Sequence, residues 1–180
     1  MTGTLPQLAA AVGMFVASHI VMAWAPVRGP LAARFGRWGF MAMYSGVSAA
    51  LLGWAIQAYA AAPVVVLTEP GTALKHGALT LMLIATFFIV AGYTTPNPGI
   101  MGMEQVGLRS GARGVLKITR HPVMWGVALW GIAHALANGH VAAWLFFGGM
   151  TVLALAGAAH IDAKRRAQHG DAWIAYQDAT

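Results

Sequence analysis

Five long runs of apolar residues, separated by short polar or basic segments, set the pattern of the chain. A helix that crosses a bilayer needs about 20 mainly apolar residues. The fourth run is shorter, but Pro122 can occupy the first turn of a helix and lengthen it. The pattern predicts an all-α integral membrane bundle, with residues 1–180 as one domain. Its five transmembrane helices are expected at about residues 5–25, 40–62, 78–94, 122–137 and 141–161, followed by a tail at 162–180.

The pair Asn138-Gly139 separates the fourth run from the fifth. A glycine directly after an apolar helix is typical of a helix C-cap, and a short connection joins antiparallel neighbours. These two residues therefore predict a tight hairpin between the last two helices.

Composition supports this class of protein. The chain is 58% hydrophobic and only 9% charged, whereas a soluble domain averages about 25% charged residues. A nucleic-acid-binding protein could share the net charge of +6, but its basic residues would form one continuous face. Here they form short clusters between apolar runs, which excludes nucleic acid as a partner. The lack of cysteine excludes disulfides and Cys metal sites.

The basic residues alternate between the two sides of a five-helix bundle. Lys75 is the one basic residue in the segments that follow helices two and four, and Glu69 opposes it. Basic loops stay in the cytoplasm. We therefore expect a multi-pass protein of the inner (cytoplasmic) membrane, with its N-terminus outside and its C-terminus in the cytoplasm. The other ten basic residues are Arg28, Arg34, Arg37, Arg109, Arg113, Lys117, Arg120, Lys164, Arg165 and Arg166.

Two histidines are expected inside the bilayer, where an ionisable residue is a functional hypothesis. They are His19, near the cytoplasmic end of helix one, and His134, deep in helix four. His134 continues a stripe in which each residue is four after the last, on one helix face: Gly126, Trp130, His134 and Asn138. That face offers either a ligand site, with close backbone approach at the glycine and stacking on the tryptophan, or a packed interface with one hydrogen-bonded histidine.

The remaining histidines are expected at edges, where a polar residue costs little. His121 and His160 lie at cytoplasmic helix ends. His76 and His140 lie at the outer surface, and His169 lies in the basic tail.

One stretch of the chain resembles the NnrU family of membrane proteins. It consists of GVLKITRHP at residues 114–122, followed by Trp125-Gly126, Leu129-Trp130 and HALANG at residues 134–139. The first part of the chain resembles the first two helices of that family, at Ser18-His19, Arg28, Phe35-Gly36 and Tyr44-Ser45. The resemblance covers nearly the whole chain and implies a role in bacterial denitrification, around nitrite and nitric oxide reductases.

A relative of that family, the 15-cis-zeta-carotene isomerase, binds haem b through two axial histidines. The resemblance places those ligands at His19 and His134. The helix face described above adds Gly126 and Trp130 as cofactor-binding residues, and Arg120 at the membrane surface is expected to bind an anionic group, either a haem propionate or a lipid head group. Without cysteine, covalent c-type attachment is excluded. The expected helix limits put the two histidines roughly 9 Å apart in depth, at 1.5 Å per residue. His160 or His121 could replace one ligand.

A second resemblance concerns Arg120-His121-Pro122 with Gly126, then Gly170, Trp173 and Tyr176. This pattern is similar to membrane methyltransferases of the isoprenylcysteine carboxyl type, which bind S-adenosylmethionine at the cytoplasmic face. The acidic pair of those enzymes is missing, and only Asp162 stands nearby.

Three interpretations therefore stand. The first is a haem b membrane protein with a denitrification-related or redox-linked isomerase role, in the bilayer with a small hydrophobic substrate or a membrane protein partner. The second is an S-adenosylmethionine-dependent methyltransferase. The third is a non-catalytic partner of a respiratory enzyme.

The split of basic residues generates a topology prediction. A reporter fused after Thr180 should read cytoplasmic, and one inserted at Pro70-Gly71 should read outside, because basic loops stay in the cytoplasm. Paired phosphatase and fluorescent-protein fusions measure this. A cytoplasmic signal from the Pro70 insertion would contradict the five-helix topology.

Overall fold

The computed structural model describes residues 3–180, and these form a helical bundle without β-strands. The α-helices are α1 (Leu5–Ala23), α2 (Ala25–Ala61), α3 (Thr72–Thr94), α4 (Glu104–Ser110), α5 (Pro122–Asn138), α6 (Val141–His169) and α7 (Asp171–Asp178), and a 3-10 helix spans Gly114–Lys117.

The all-helical architecture is confirmed. By length and composition, α1, α2, α3 and α6 can each cross a membrane. Helix α5 is apolar but has 17 residues, which is about 26 Å at 1.5 Å per residue and slightly under a bilayer core. A bundle of at least four membrane-type helices is therefore established, and the fifth crossing stays a prediction.

The helices lie in the order α2, α1, α6, α5, α3 across the bundle, since α6 packs against both α1 and α5. The largest apolar cluster lies where α1, α2, α5 and α6 meet, and its bulky members are Leu8, Phe15, Phe146, Phe147 and Met150. Helix α3 is outside this cluster and packs on α5 alone among the long helices.

Glycines allow the close approach of α5 to both neighbours. A Cβ on Gly126 would lie 2.9 Å from the carbonyl oxygen of Ala85, and one on Gly131 would lie 2.7 Å from that of Phe147. Both distances are shorter than a methyl group tolerates. Small residues at a helix interface let the backbones pack directly. The space that the sequence left open for a ligand at Gly126 is filled by α3.

The predicted hairpin between α5 and α6 is confirmed. Helix α5 ends at Asn138, and Gly139 caps it in the left-handed conformation, with φ 63° and ψ 11°. The loop before α3 pairs with this turn, since Leu67 N donates to the Gly139 carbonyl at 2.9 Å and Val141 N donates to the Val65 carbonyl at 2.9 Å.

Three helices extend beyond their predicted limits, and α3 does so at its start, which is Thr72 rather than residue 78. The basic segment before the second apolar run is helical from Ala25, and the helix breaks at Gly36, with φ 70° and ψ 169°. Helix α6 continues to His169, through the first residues of the predicted tail. Ion pairs made by Asp162 and Arg165 hold this extension against the preceding loop. Hydropathy alone does not reveal such pairs.

The three basic segments meet at one end of the bundle, which we call the basic end. Arg120 pairs with Asp162, Arg165 pairs with Glu104, and Arg28 lies close enough to Lys164 to repel it. The end that carries the Asn138-Gly139 turn is the opposite end.

The contact at Gly126 generates a stability prediction. Gly126→Ala should lower the free energy of unfolding by about 1–3 kcal/mol, because the added methyl group overpacks the α3–α5 contact. Thermal unfolding in one detergent measures the loss. Gly46→Ala is the matched control, since no atom lies within 4 Å of a Cβ there. Equal losses in the two variants would contradict the close contact.

Candidate functional sites

His134 is held in one orientation by its own helix. Its Nδ1 lies 2.9 Å from the carbonyl oxygen of Trp130. A carbonyl oxygen only accepts, so Nδ1 is the nitrogen that donates, and in the neutral ring the lone pair is then on Nε2. The ring stacks on Phe147 of α6, with centroids 4.7 Å apart. A histidine whose other nitrogen donates to a backbone carbonyl is prepared to ligate a metal through Nε2.

His134 also lines a groove between α3 and α5 at the opposite end of the bundle. The groove is open on one side, has a volume of about 310 Å³ and is almost entirely apolar apart from the histidine and one lysine. Its volume lies at the lower end of the range for small-molecule sites. We call it the α3–α5 groove, and its lining residues are Lys75, Ala78, Leu79, Met82, Ala133, His134 and Ala137.

His19 has a similar local bond but a different position. Its Nδ1 lies 2.9 Å from the Phe15 carbonyl oxygen. Its ring makes edge contacts with the rings of Phe15, at 4.4 Å between centroids, and Tyr44, at 5.4 Å. It therefore lies between α1 and α2, and it shares no aromatic neighbour with His134.

The structure does not bring the two histidines together. A Cβ on Gly149 would clash with Val12, so these two residues lie at the same height along the bundle axis. His19 is seven residues beyond Val12, and His134 stacks on Phe147, two residues before Gly149. The separation along the bundle is therefore roughly 13 Å at 1.5 Å per residue. The two nitrogen atoms that ligate one iron must lie about 4 Å apart, because each metal–imidazole bond is about 2 Å long. A backbone offset of this size along the bundle does not favour such a pair.

The other residues expected at the cofactor do not line this groove, although the Trp130 ring lies against His134 with centroids 4.9 Å apart. Trp130 packs inside the bundle against Phe147, with centroids 5.2 Å apart, and Gly126 contacts α3. Arg120 lies at the basic end, beyond the start of α5. His134 is twelve residues after Pro122, which puts it about 18 Å along the helix from that end. Of the expected set, the α3–α5 groove contains His134 alone.

A second cluster, which sequence reasoning missed, lies at the basic end. Asp162 accepts two hydrogen bonds from Arg120 Nε, at 2.9 and 3.0 Å, and one from Nη2 at 2.7 Å. It also accepts one from His121 Nε2 at 2.8 Å. We call Arg120, His121 and Asp162 the Asp162 cluster.

Burial shapes the titration of this cluster. His121 lies at the start of α5, as the sequence predicted, but its side chain is only 6% exposed. Burial lowers the pKa of His121 below its usual 6.5, although the bond to Asp162 opposes this shift. The hydrogen bond to Asp162 raises the pKa of Arg120 above its usual value. At neutral pH the cluster therefore combines one cation, one anion and a neutral imidazole.

A neighbouring ion pair holds the end of α6 against α4. Arg165 is 6% exposed and donates to Glu104 at 3.0 Å. Burial alone would raise the pKa of Glu104, but hydrogen bonds from the backbone and from Arg165 lower it. Trp173 and Tyr176 of α7 are buried with their rings stacked at 5.4 Å, and burial raises the pKa of Tyr176 to about 12.

Asp162 is 41 residues from His121 along the chain, so spacing gave no direct signal for the cluster. One indirect signal existed, because Asp162 is the single acidic residue at the end of the last apolar run. A lone acid beside three basic residues is typical of an internal ion pair. Within residues 3–180, no group of three or more metal-ligating side chains converges.

The family model described as NnrU protein matches residues 7–180. The chain belongs to the NnrU family. This match covers every helix of the bundle, including the short α5, apart from the first two residues of α1. No curated protein and no solved structure is significantly similar to the chain.

The Asp162 cluster generates a stability prediction. Asp162→Asn should lower the free energy of unfolding by about 1.5–3 kcal/mol, the usual contribution of hydrogen bonds to charged groups. The variant leaves Arg120 without its anion. Thermal unfolding in detergent measures the change. Asp178→Asn is the matched control, since Asp178 is exposed at the end of α7. If Asp162→Asn unfolds at the same temperature as the parent protein, Asp162 does not stabilise the bundle through its bonds to Arg120 and His121.

Proposed function

We propose that this NnrU family protein binds haem b in the α3–α5 groove, with His134 as the axial ligand. The observation that carries the proposal is the orientation of His134, whose Nδ1 is held by the Trp130 carbonyl while the ring lines an apolar groove. The role that fits the family resemblance is a redox-linked one, in denitrification or in an isomerase-type reaction.

The residues of the groove suit this group. Neutral imidazole is a common haem ligand, and the walls are apolar. Lys75 is exposed in the first turn of α3, where an ammonium can pair with a propionate carboxylate. His19 is too far away to be the second ligand, so the proposal is a single protein ligand. Bound haem would supply one-electron or oxygen chemistry.

The chain itself tunes such a site in two ways. The Trp130 carbonyl fixes the tautomer of His134, and hydrogen bonding of the distal nitrogen raises the basicity of a ligating imidazole. Ala78, Leu79 and Met82 limit the access of water to the groove, and burial shifts the reduction potential of a haem. With the basic end in the cytoplasm, the site faces the outer half of the membrane.

The methyltransferase interpretation has less geometric support. Arg120 and His121 do lie beside a cavity at the basic end. The one carboxylate there, Asp162, already binds both of them. Among the residues that line this cavity, no other acid is available to pair with a sulfonium cation. The role of a non-catalytic partner has no side-chain arrangement in its favour.

Haem titration of the purified protein tests the proposal. His134→Ala should abolish the Soret shift of added haem b, because the axial bond is lost. His19→Ala and His169→Ala should leave it unchanged. Lys75→Ala should weaken binding about two- to five-fold, the usual contribution of an exposed ion pair.

Two outcomes would contradict the proposal. If His19→Ala loses haem while His134→Ala keeps it, the site lies between α1 and α2. If the parent protein takes up no haem, the groove does not bind it. Binding of S-adenosylmethionine by that colourless protein would then favour methyl transfer, and no binding would favour a partner role.

A further inference from the structure

A second cavity lies between the start of α5 and the last turns of α6, at the basic end of the bundle. It encloses about 380 Å³ and is divided between a polar side and an apolar side. The polar side is the Asp162 cluster with Thr119. The apolar side consists of Met124, Trp125, Leu155, Ala158 and Ala159.

The polar side is a built site rather than a solvated surface. His121 is 94% buried there, on the 6% exposure of its side chain. Its Nε2 donates to Asp162, whose other contacts come from Arg120. The positions of all three side chains are therefore fixed before any ligand arrives, which lowers the entropy that binding must remove.

Among the residues that line the cavity, the formal charges of Arg120 and Asp162 cancel, which favours an uncharged head group. Arg120 and Asp162 form one ion pair at 2.7 Å, and His121 is neutral. A fully charged head group would gain little from such a site and would lose its hydration.

The site nevertheless has hydrogen-bond donors to spare. Within residues 3–180, Arg120 uses Nε and Nη2 on Asp162, and Nη1 has no partner. The Thr119 hydroxyl accepts from the backbone N–H of His121 and keeps its own proton for another acceptor. An uncharged carbonyl oxygen satisfies such donors.

The apolar side opens toward lipid. Leu155 is 41% exposed on α6, a membrane-type helix, and Trp125 is 45% exposed on the apolar helix α5. With α5 in the bilayer as predicted, the open faces of both side chains meet acyl chains. A flat ring can stack on the Trp125 indole, and an apolar tail can leave between these two side chains.

We propose that this cavity binds a membrane-dissolved molecule with an uncharged, carbonyl-bearing ring and an apolar tail, which is the chemistry of a quinone. The ring carbonyl accepts from Arg120 Nη1 and Thr119, and the tail lies along Leu155 in the bilayer. This site is separate from the α3–α5 groove and does not depend on haem.

Decylubiquinone is a suitable probe, with the protein in nanodiscs of zwitterionic lipid. Quenching of tryptophan fluorescence should be saturable in the parent. Ala158→Leu fills the cavity while leaving the three side chains of the Asp162 cluster chemically unchanged, and it should weaken binding more than tenfold. Arg120→Gln removes the donor and should weaken it about tenfold or more, as expected for a hydrogen bond to a charged group. Ala163→Leu is the matched control, since Ala163 is exposed on the same helix and does not line the cavity.

Quenching that does not saturate, or that is equal in the parent and Ala158→Leu, would overturn the proposal. Displacement of the probe by an anionic phospholipid, with tighter binding of that lipid, would also overturn it. Thermal unfolding of each variant separates lost binding from lost folding, and Ala158→Leu covers the case in which Arg120→Gln does not fold. The Soret titration at His134 is an independent readout, so failure of one site is distinguishable from failure of the other.

Discussion

The carboxylate of Asp162 connects parts of the chain that hydropathy treats as separate. It lies on α6 and binds the two residues that precede α5, Arg120 and His121. An unpaired carboxylate so near the lipid would be costly, and so would an unpaired Arg120. Each group is tolerated because of the other. This pairing fixes where α5 begins, and it forms the polar side of the cavity at the basic end.

From that start, the position of α5 follows from glycine packing. In lipid there is little hydrophobic gain from bringing apolar helices together, so close backbone contact has to supply the association. Gly126 faces α3 and Gly131 faces α6, and these contacts place α5 between the two longer helices. A helix of 17 residues is short for a bilayer, and its neighbours on both sides compensate. The α3–α5 groove opens only beyond this contact, where the glycines end and His134 begins.

His19 and His134 make the same hydrogen bond to their own helix but lie in different surroundings. Both donate Nδ1 to a carbonyl one turn earlier, which removes the cost of a polar group in lipid. For His19 the neighbours are aromatic rings of α1 and α2, and packing accounts for it. The His134 ring also borders the α3–α5 groove, which has Lys75 among its lining residues. Helix packing by itself does not account for that groove.

The sequence by itself determined the helical membrane class, the family and the hairpin at Asn138-Gly139, because these depend on run length, local motifs and one residue's backbone conformation. It also identified His134 as an inward residue. It did not reveal that α3 would fill the space beside Gly126, that His19 and His134 would lie apart, or that Asp162 would bind Arg120 and His121. Periodicity reports which face of a helix is apolar, but not which neighbour covers that face. Only the order of helices across the bundle decided those contacts, because they join residues up to 42 positions apart through packing that no local pattern encodes.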